Sequence, residues 1–252
     1  MVTRKDIDSV ISERYFQHAD TRRFHWLTEN KLMAEMEKTA LRAVSIDAAH
    51  AVLEIGCGEG ANIRNLKHRA PVFIGLDLYP EKLQFATSRI KHARFVCGDA
   101  ATLPFRDNYF DFVFCRDVLH HLKNKTKMIQ EMIRVLKPGR SFIILEANGR
   151  NLVWNMFGTF VKAERYLKRN TAYEFRRLLA HEGIRGILKA EMDFLYMPLF
   201  FRLLAHYKFG LQGLGNNRIV LFLSRISAKY LKKYFNRESW AYIIISGVKK
   251  NE

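Results

Sequence analysis

The 252-residue sequence has only three cysteines, Cys57, Cys97 and Cys115, set far apart and with no CxxC pair. That excludes a disulfide framework and a zinc knuckle, and no metal ligands are expected. No apolar run approaches the roughly 20 residues that cross a bilayer. The opening MVTRKDIDSV lacks a signal-peptide core, and there is no internal repeat or low-complexity tract. These absences lead to the expectation of a cytoplasmic chain. Acidic residues are missing where they would matter most. Between Tyr196 and Arg237 there are eight Lys or Arg and no acid. The formal charge of +17 is correspondingly uneven, at zero over residues 1–50, +6 over 51–150 and +11 over 151–252. A block of one sign faces something anionic, either nucleic-acid phosphate or membrane headgroups.

With 48% apolar residues, the chain can bury the core of one large α/β domain. Residues from about Asp6 to Val44 read as helices, with LMAEMEKTAL apolar at helical spacing. The period then changes. AVLEI (51–55), PVFIGLD (71–77), ARFVCGD (93–99), FDFVFCR (110–116) and RSFIILE (140–146) are short apolar runs separated by helical segments, a pattern that predicts a parallel sheet with right-handed crossovers. Pro138 and Gly139 read as a stop after the helix MIQEMIRVLK. Farther on, NTAYEFRRLLAHEG reads as a helix from Thr171 to Gly183. IRGILKAEMDFL (184–195) and AYIIISGVKK (241–250) read as strands around an insert of about 45 residues, too long for a plain loop.

The stretch VLEIGCGEG (52–60) places three glycines in five positions between a strand and a helix. Bare backbone N–H groups and a helix N-terminus then meet at the sheet's carboxyl edge. A P-loop would need GxxxxGK[ST], and a dinucleotide site prefers GxGxxG. Glu54 and Glu59 also disfavour a pyrophosphate. A ligand with an ammonium group and no phosphate suits the loop better, as S-adenosylmethionine does. Asp77, closing the second strand, can accept from ribose hydroxyls. Asp99, closing the third, can accept from an exocyclic adenine amine while the N–H of Ala100 serves the ring.

In this order the motifs VLEIGCGEG, GLDLYP, CGDAATLPF, FDFVFCRDVLHHL and RVLKPGRSFIILE resemble the class I S-adenosylmethionine-dependent methyltransferases, in particular the small-molecule branch of quinone biosynthesis. The resemblance covers residues 51–146. It implies a Rossmann-like, seven-stranded, mostly parallel sheet with helices on both faces, its last strand antiparallel beside the fifth. It implies cofactor contacts at Glu54, Gly56, Cys57, Gly58, Gly60, Asp77, Leu78, Asp99 and Ala100, and a methionine-moiety contact near Arg116. Cysteine is ordinary at position 57 in this family, so no redox role follows. The chain then divides into an N-terminal helical cap (1–50), a cofactor-binding core (51–150) and a C-terminal completion of the sheet (151–252) that carries a basic insert at about 196–239.

Methyl transfer needs alignment and exclusion of water more than side-chain chemistry, but an acceptor that loses a proton profits from a base. His120 after the fourth strand and Glu146 at the end of the fifth share one rim, where Glu146 could orient the imidazole as a catalytic dyad. The alternative is a histidine that merely lines the cleft. His121 should point elsewhere. Neither [DN]PP[YFW] nor Pro-Cys occurs after the fourth strand, which disfavours a nucleic-acid base as substrate. In the insert, Arg218, Arg225, Lys229 and Lys232 form a basic stripe beside Ile219, Leu223, Ile226, Tyr230 and Tyr234. Three readings stay open for that apolar face: packing on the domain, docking on a membrane surface, or a protein interface. Tyr15, Phe16, His18, His25 and Trp26 belong either to an acceptor pocket or to the core of the cap. The leading expectation is a methyltransferase for a lipophilic or amphiphilic small molecule at the inner membrane face. An RNA acceptor and a non-catalytic cofactor-binding partner protein are the alternatives.

Overall fold

The computed structural model describes residues 17–42, 44, 50–66, 70–122, 124–180 and 186–251. The helix expected before residue 17, with Tyr15 and Phe16, and the helix stop expected at Gly183 lie outside the described residues.

Seven strands form one sheet: β1 Ala51–Ile55, β2 Val72–Asp77, β3 Arg94–Cys97, β4 Phe110–Arg116, β5 Leu136–Ala147, β6 Ile187–Leu195 and β7 Tyr242–Lys249. Their order is β3-β2-β1-β4-β5-β7-β6. β1 to β5 are parallel, and β7 runs antiparallel to both neighbours, β5 and β6. The architecture is the Rossmann-like sheet expected. The central strands are continuous apolar runs because both of their faces are covered. Leu53 and Ile55 of β1 pack with Val113 and Met132 on one side. Val52 packs with Phe112, Ile63 and Leu83 on the other. The order reverses between β1 and β4, so the carboxyl ends of those strands open the crevice where ligands of such sheets bind.

The helices are α1 Thr21–Glu29, α2 Lys31–Leu41, α3 Ala61–Asn65, α4 Pro80–Arg89, α5 Lys125–Val135, α6 Leu152–Phe160, α7 Ala172–Leu179, α8 Leu199–Leu204 and α9 Arg218–Tyr230. Side-chain caps start most of the longer ones. Asp20 accepts from Arg23 N, Asn30 from Met33 N, and Thr171, the start read from the sequence, from Glu174 N, each satisfying an orphan donor of a first turn. Pro138 and Gly139 stand just past the helix end, as read from the sequence. α5 already ends at Val135, β5 begins at Leu136, and the pair lies within that strand at a register shift between Phe110 and Phe112. A residue without an N–H is tolerated in a strand at such an irregularity, and Gly139 has a φ of 69°.

Residues 196–241, between β6 and β7, hold α8, α9 and several short 3-10 turns, so the long insert is structured. α8 closes over α1: Trp26 Nε1 donates to Ala205 O at 2.8 Å, and its ring meets that of His206 at 4.7 Å. α9 sits beside α2, where Arg225 pairs with Glu35.

Gly60 ties the loop to this packing. Its φ is 79°, and a Cβ there would meet Ile90 Cδ1 at 2.6 Å. Gly60→Ala should therefore cost about 2 to 3 kcal/mol, from left-handed strain plus overpacking. Urea unfolding followed by circular dichroism measures that loss.

Candidate active site

The crevice holds one continuous cavity of about 410 Å3, lined from the ends of β1, β2 and β4 and from α1, α6 and α8. Its floor is the glycine loop. Gly56 N and Cys57 N both donate to Leu76 O, at 2.7 and 3.0 Å, and Gly60 N donates to Cys57 O. Asp77 accepts from Gly58 N at 2.8 Å through one oxygen and from Tyr79 N at 3.1 Å through the other. Each carboxylate oxygen keeps a second lone pair, so the side chain that shapes the loop retains capacity for ligand hydroxyls. Gly58, with a φ of 54°, has nothing within 4 Å of where a Cβ would stand, and it lines the cavity. A side chain there would fill ligand space without touching protein. At the far rim Asp99 accepts from Ala101 N at 2.8 Å, and Ala100 and Leu78 also line the cavity.

Three expected cofactor contacts have other surroundings. Gly60 and Glu54 are not among the lining residues. Glu54 is fully buried behind the floor, held by Asn62 Nδ2 at 2.6 Å, while its Oε2 has no partner among the described residues. Burial pushes its carboxyl up to about 8, against the Asn62 hydrogen bond that lowers it. Arg116 lines the cavity, but its two terminal nitrogens are engaged by protein, in a buried ion pair with Glu37 of α2 and in bonds to Asn62 Oδ1 at 3.1 Å and Tyr242 Oη at 3.3 Å, while its Nε has no hydrogen-bond partner among the described residues. Glu37 also accepts from Arg202 of α8 at 3.0 Å. Burial alone would raise the Glu37 carboxyl, but the two guanidiniums hold it below the usual range. One carboxylate thus joins the cap, the sheet and the insert. Arg202 in turn lies over the rings of Trp26 and Trp154, at 5.2 and 5.5 Å.

His120 and Glu146 meet, with Nδ1 at 2.7 Å from Oε2. Glu146 is pinned from behind by the N–H groups of Val118 and Leu119, at 2.8 and 2.6 Å, and by Asn170 Nδ2 at 2.9 Å. The other ring nitrogen, Nε2, is 3.3 Å from Glu164 Oε2. Two carboxylates therefore flank one imidazole. Burial opposes its charge, but Glu146 and Glu164 outweigh burial and raise the pKa to about 10. His121 does not point elsewhere. The two residues share a single 3-10 turn, Leu119–His121, rather than an α-helix; their rings lie 3.8 Å apart and both line the cavity. Burial, then the neighbouring charge, lowers His121 to about 3. Ligand atoms of His120, His121 and Glu164 lie within 4.8 Å of one another. Nε2 of His120 and Oε2 of Glu164, 3.3 Å apart, can share a proton. Sequence reading did not find Glu37, Glu164 or Arg202. Of the expected cap residues, His18 and Trp26 line the cavity and His25 does not. The rest of the wall is mixed: Leu27, Val153, Trp154, Phe157 and Leu199 stand among the charged side chains of Asp20, Arg23, Glu59, Lys82 and Lys208.

Residues 53–144 match a family model described as a methyltransferase domain. An uncharacterized methyltransferase of Bacillus subtilis is 32% identical over 125 residues, 47% of this chain and 49% of its own length. A fatty-acid O-methyltransferase of Mycolicibacterium smegmatis is 37% identical over 103 residues, 39% of this chain and 38% of its own length. The chain thus spans about half the length of these curated relatives, or less. Among solved structures, phosphoethanolamine N-methyltransferase 2 of Haemonchus contortus, in complex with phosphomonomethylethanolamine and S-adenosylhomocysteine, has a TM-score of 0.64 at 19% identity, covering 97% of this chain and 61% of that one. That likeness is one of fold.

Glu37→Gln should destabilise the protein by about 3 kcal/mol near pH 7, because it leaves the buried Arg116 and the partly buried Arg202 short of their counter-charge. The folded-state carboxyl lies below its usual value of 4.5, so its contribution is present above that pH and is lost as pH falls through the lowered value. The gap between wild type and variant, measured by denaturant titration from pH 7 to pH 3, should therefore narrow toward acid.

Proposed function

We propose, from the match of residues 53–144 to a methyltransferase-domain model, that the chain is a class I S-adenosylmethionine-dependent methyltransferase and transfers a methyl group from S-adenosylmethionine to a lipophilic or amphiphilic small molecule at a membrane surface. One observation carries this reading. A single cavity joins a polar glycine-loop floor to a wall on which α1, α6 and α8 set apolar side chains beside the cations Arg23 and Arg202, an amphiphilic lining. The residues present suit the cofactor. Gly58 leaves room a side chain would fill, and Asp77 and Asp99 offer acceptors for hydroxyl and amine groups. When bound, the cofactor supplies an electrophilic methyl on a sulfonium. A quinone or isoprenoid precursor, a fatty acid, a lipid headgroup or a lipid-linked sugar fits the apolar half. The fatty-acid substrate of one relative lies within that range.

The division of labour follows from position. Asp77, Leu78, Asp99 and Ala100 orient the nucleoside, and Gly56, Cys57 and Gly58 give it bare backbone. Arg116 shapes the neighbouring wall while Glu37 keeps it in place. The insert and the cap exclude water from the crevice, which strengthens every polar contact inside. His120 and Glu146 act on the acceptor's proton. As it stands His120 is an imidazolium held between two carboxylates. It accepts a proton at Nε2 only after losing the one it shares with Glu164, and Glu146 holds Nδ1 throughout.

Calorimetry with S-adenosylmethionine should give saturable binding to the wild type, and Asp77→Ala should weaken it at least tenfold, about 1.4 kcal/mol. An absence of heat from the folded wild type would remove the proposal. Turnover should rise with pH along a limb governed by His120, toward its value of about 10. Glu164→Gln removes one of the charges that raise it, so that limb should move to lower pH. A limb unchanged in Glu164→Gln, together with full turnover in His120→Ala, would leave His120 as lining only.

A further inference from the structure

α9 is folded with its apolar side outward. Residues Leu221, Ser224 and Ser227, the small and mostly polar edge, are buried, while Ile219, Phe222, Leu223, Ile226 and Tyr230 face solvent, with Ile219 68% and Phe222 60% exposed. At 100° per residue the outward five fall within one arc of about 100°, a single apolar stripe. A helix at a protein surface normally presents the reverse arrangement. The stripe continues past the helix end into Leu231, Tyr234 and Phe235, all exposed. Along one border run Arg218, Arg225 and Lys229, followed by Lys232 and Lys233 in the next turn, all exposed. Arg225 is neutralised by Glu35.

The charge pattern selects the occupant. The insert from Tyr196 to Arg237 has no acidic residue, so two copies meeting through this face would bring cationic borders together without counter-charge. An RNA would contact the Lys and Arg but would leave Ile219, Leu223 and Ile226 wet, since aliphatic side chains give bases neither stacking nor hydrogen bonds. An anionic bilayer matches both parts: headgroups for the cationic border, acyl chains for the stripe. No described helix is long and apolar enough to cross a membrane, so the contact is one of lying in the interface. α6, which supplies Val153, Trp154 and Phe157 to the cavity, also shows apolar residues to solvent at Leu152, Met156 and Phe160, one per turn, so a wall of the cavity is itself apolar on its outer side.

We propose that the outward stripe of α9, with its Lys and Arg border, docks the protein on the surface of an anionic phospholipid bilayer. Docking rests on the surface alone, whereas its use in delivering an acceptor rests on the methyltransferase reading above.

The test is flotation of the full chain with vesicles of phosphatidylcholine and with vesicles containing about 30% phosphatidylglycerol. The wild type should float with the anionic vesicles, weakly with the neutral ones, and should lose most of its binding between 50 and about 500 mM salt. Ile219→Ser with Phe222→Ser and Ile226→Ser should reduce flotation at least tenfold. Lys229→Glu with Lys232→Glu should do the same for anionic vesicles only. Calorimetric binding of S-adenosylmethionine should stay unchanged in both variants, which separates loss of docking from loss of the cofactor site and reports that the chain is folded. Flotation equal in wild type and triple variant would overturn the proposal. So would a wild type that stays with neither vesicle while sedimenting as a dimer that the triple variant abolishes, or while shifting RNA in a gel.

Discussion

The buried carboxylate of Glu37 is the constraint on which the arrangement of the site depends. It stands on α2, outside the sheet, yet it is the counter-charge for Arg116 at the tip of β4 and for Arg202 on α8. Two guanidiniums inside a protein are tolerated only when such a partner is present and the remaining donors are used. Here Asn62, Tyr242 and two tryptophan rings take up much of what remains. The cap, the core and the insert cannot shift independently without separating these charges. The cavity between them therefore has its shape set by electrostatics as much as by apolar packing.

The second organising element is the pair of turns that leave β4 and β5. Asp117, at a φ of 53°, accepts from Ala147 N at 3.1 Å and so stitches the two strand ends together. Glu146 accepts from the next two backbone N–H groups, of Val118 and Leu119. A non-glycine residue in the left-handed region is costly and persists where surrounding bonds over-determine it. The result is a short 3-10 turn instead of a full helix, at which the rings of His120 and His121 come within 3.8 Å of each other.

Much of this was legible in the sequence, for a physical reason. The central strands are contiguous apolar runs, the turns carry glycine, and the residues at strand ends reach the crevice by topology alone. Thr171 announces its helix because a cap acts within three residues. What stayed hidden acts across long separations: Glu37 and Arg116 are 79 residues apart, His120 and Glu164 are 44 apart, and Arg202 and Glu37 are 165 apart. No local pattern records such pairings. Pro138 marked the end of the helix but hid the early start of β5, because a proline is unusual inside a strand and is accommodated here at a register shift. The amphipathic pattern of α9 was visible as well, but periodicity cannot say which side a helix buries. Only tertiary packing against α2 through its serine edge decides that.

The position of β7 has a temporal consequence. It is the last strand in chain order, yet it lies between β5 and β6 and hydrogen-bonds to both. Until residue 249 has left the ribosome, β5 and β6 of a nascent chain lack the partner that later fills the gap between them, and Arg116 lacks the Tyr242 hydroxyl it bonds. Competence thus waits on β7, and the interval before it pairs is when the polypeptide has most need of chaperone shelter.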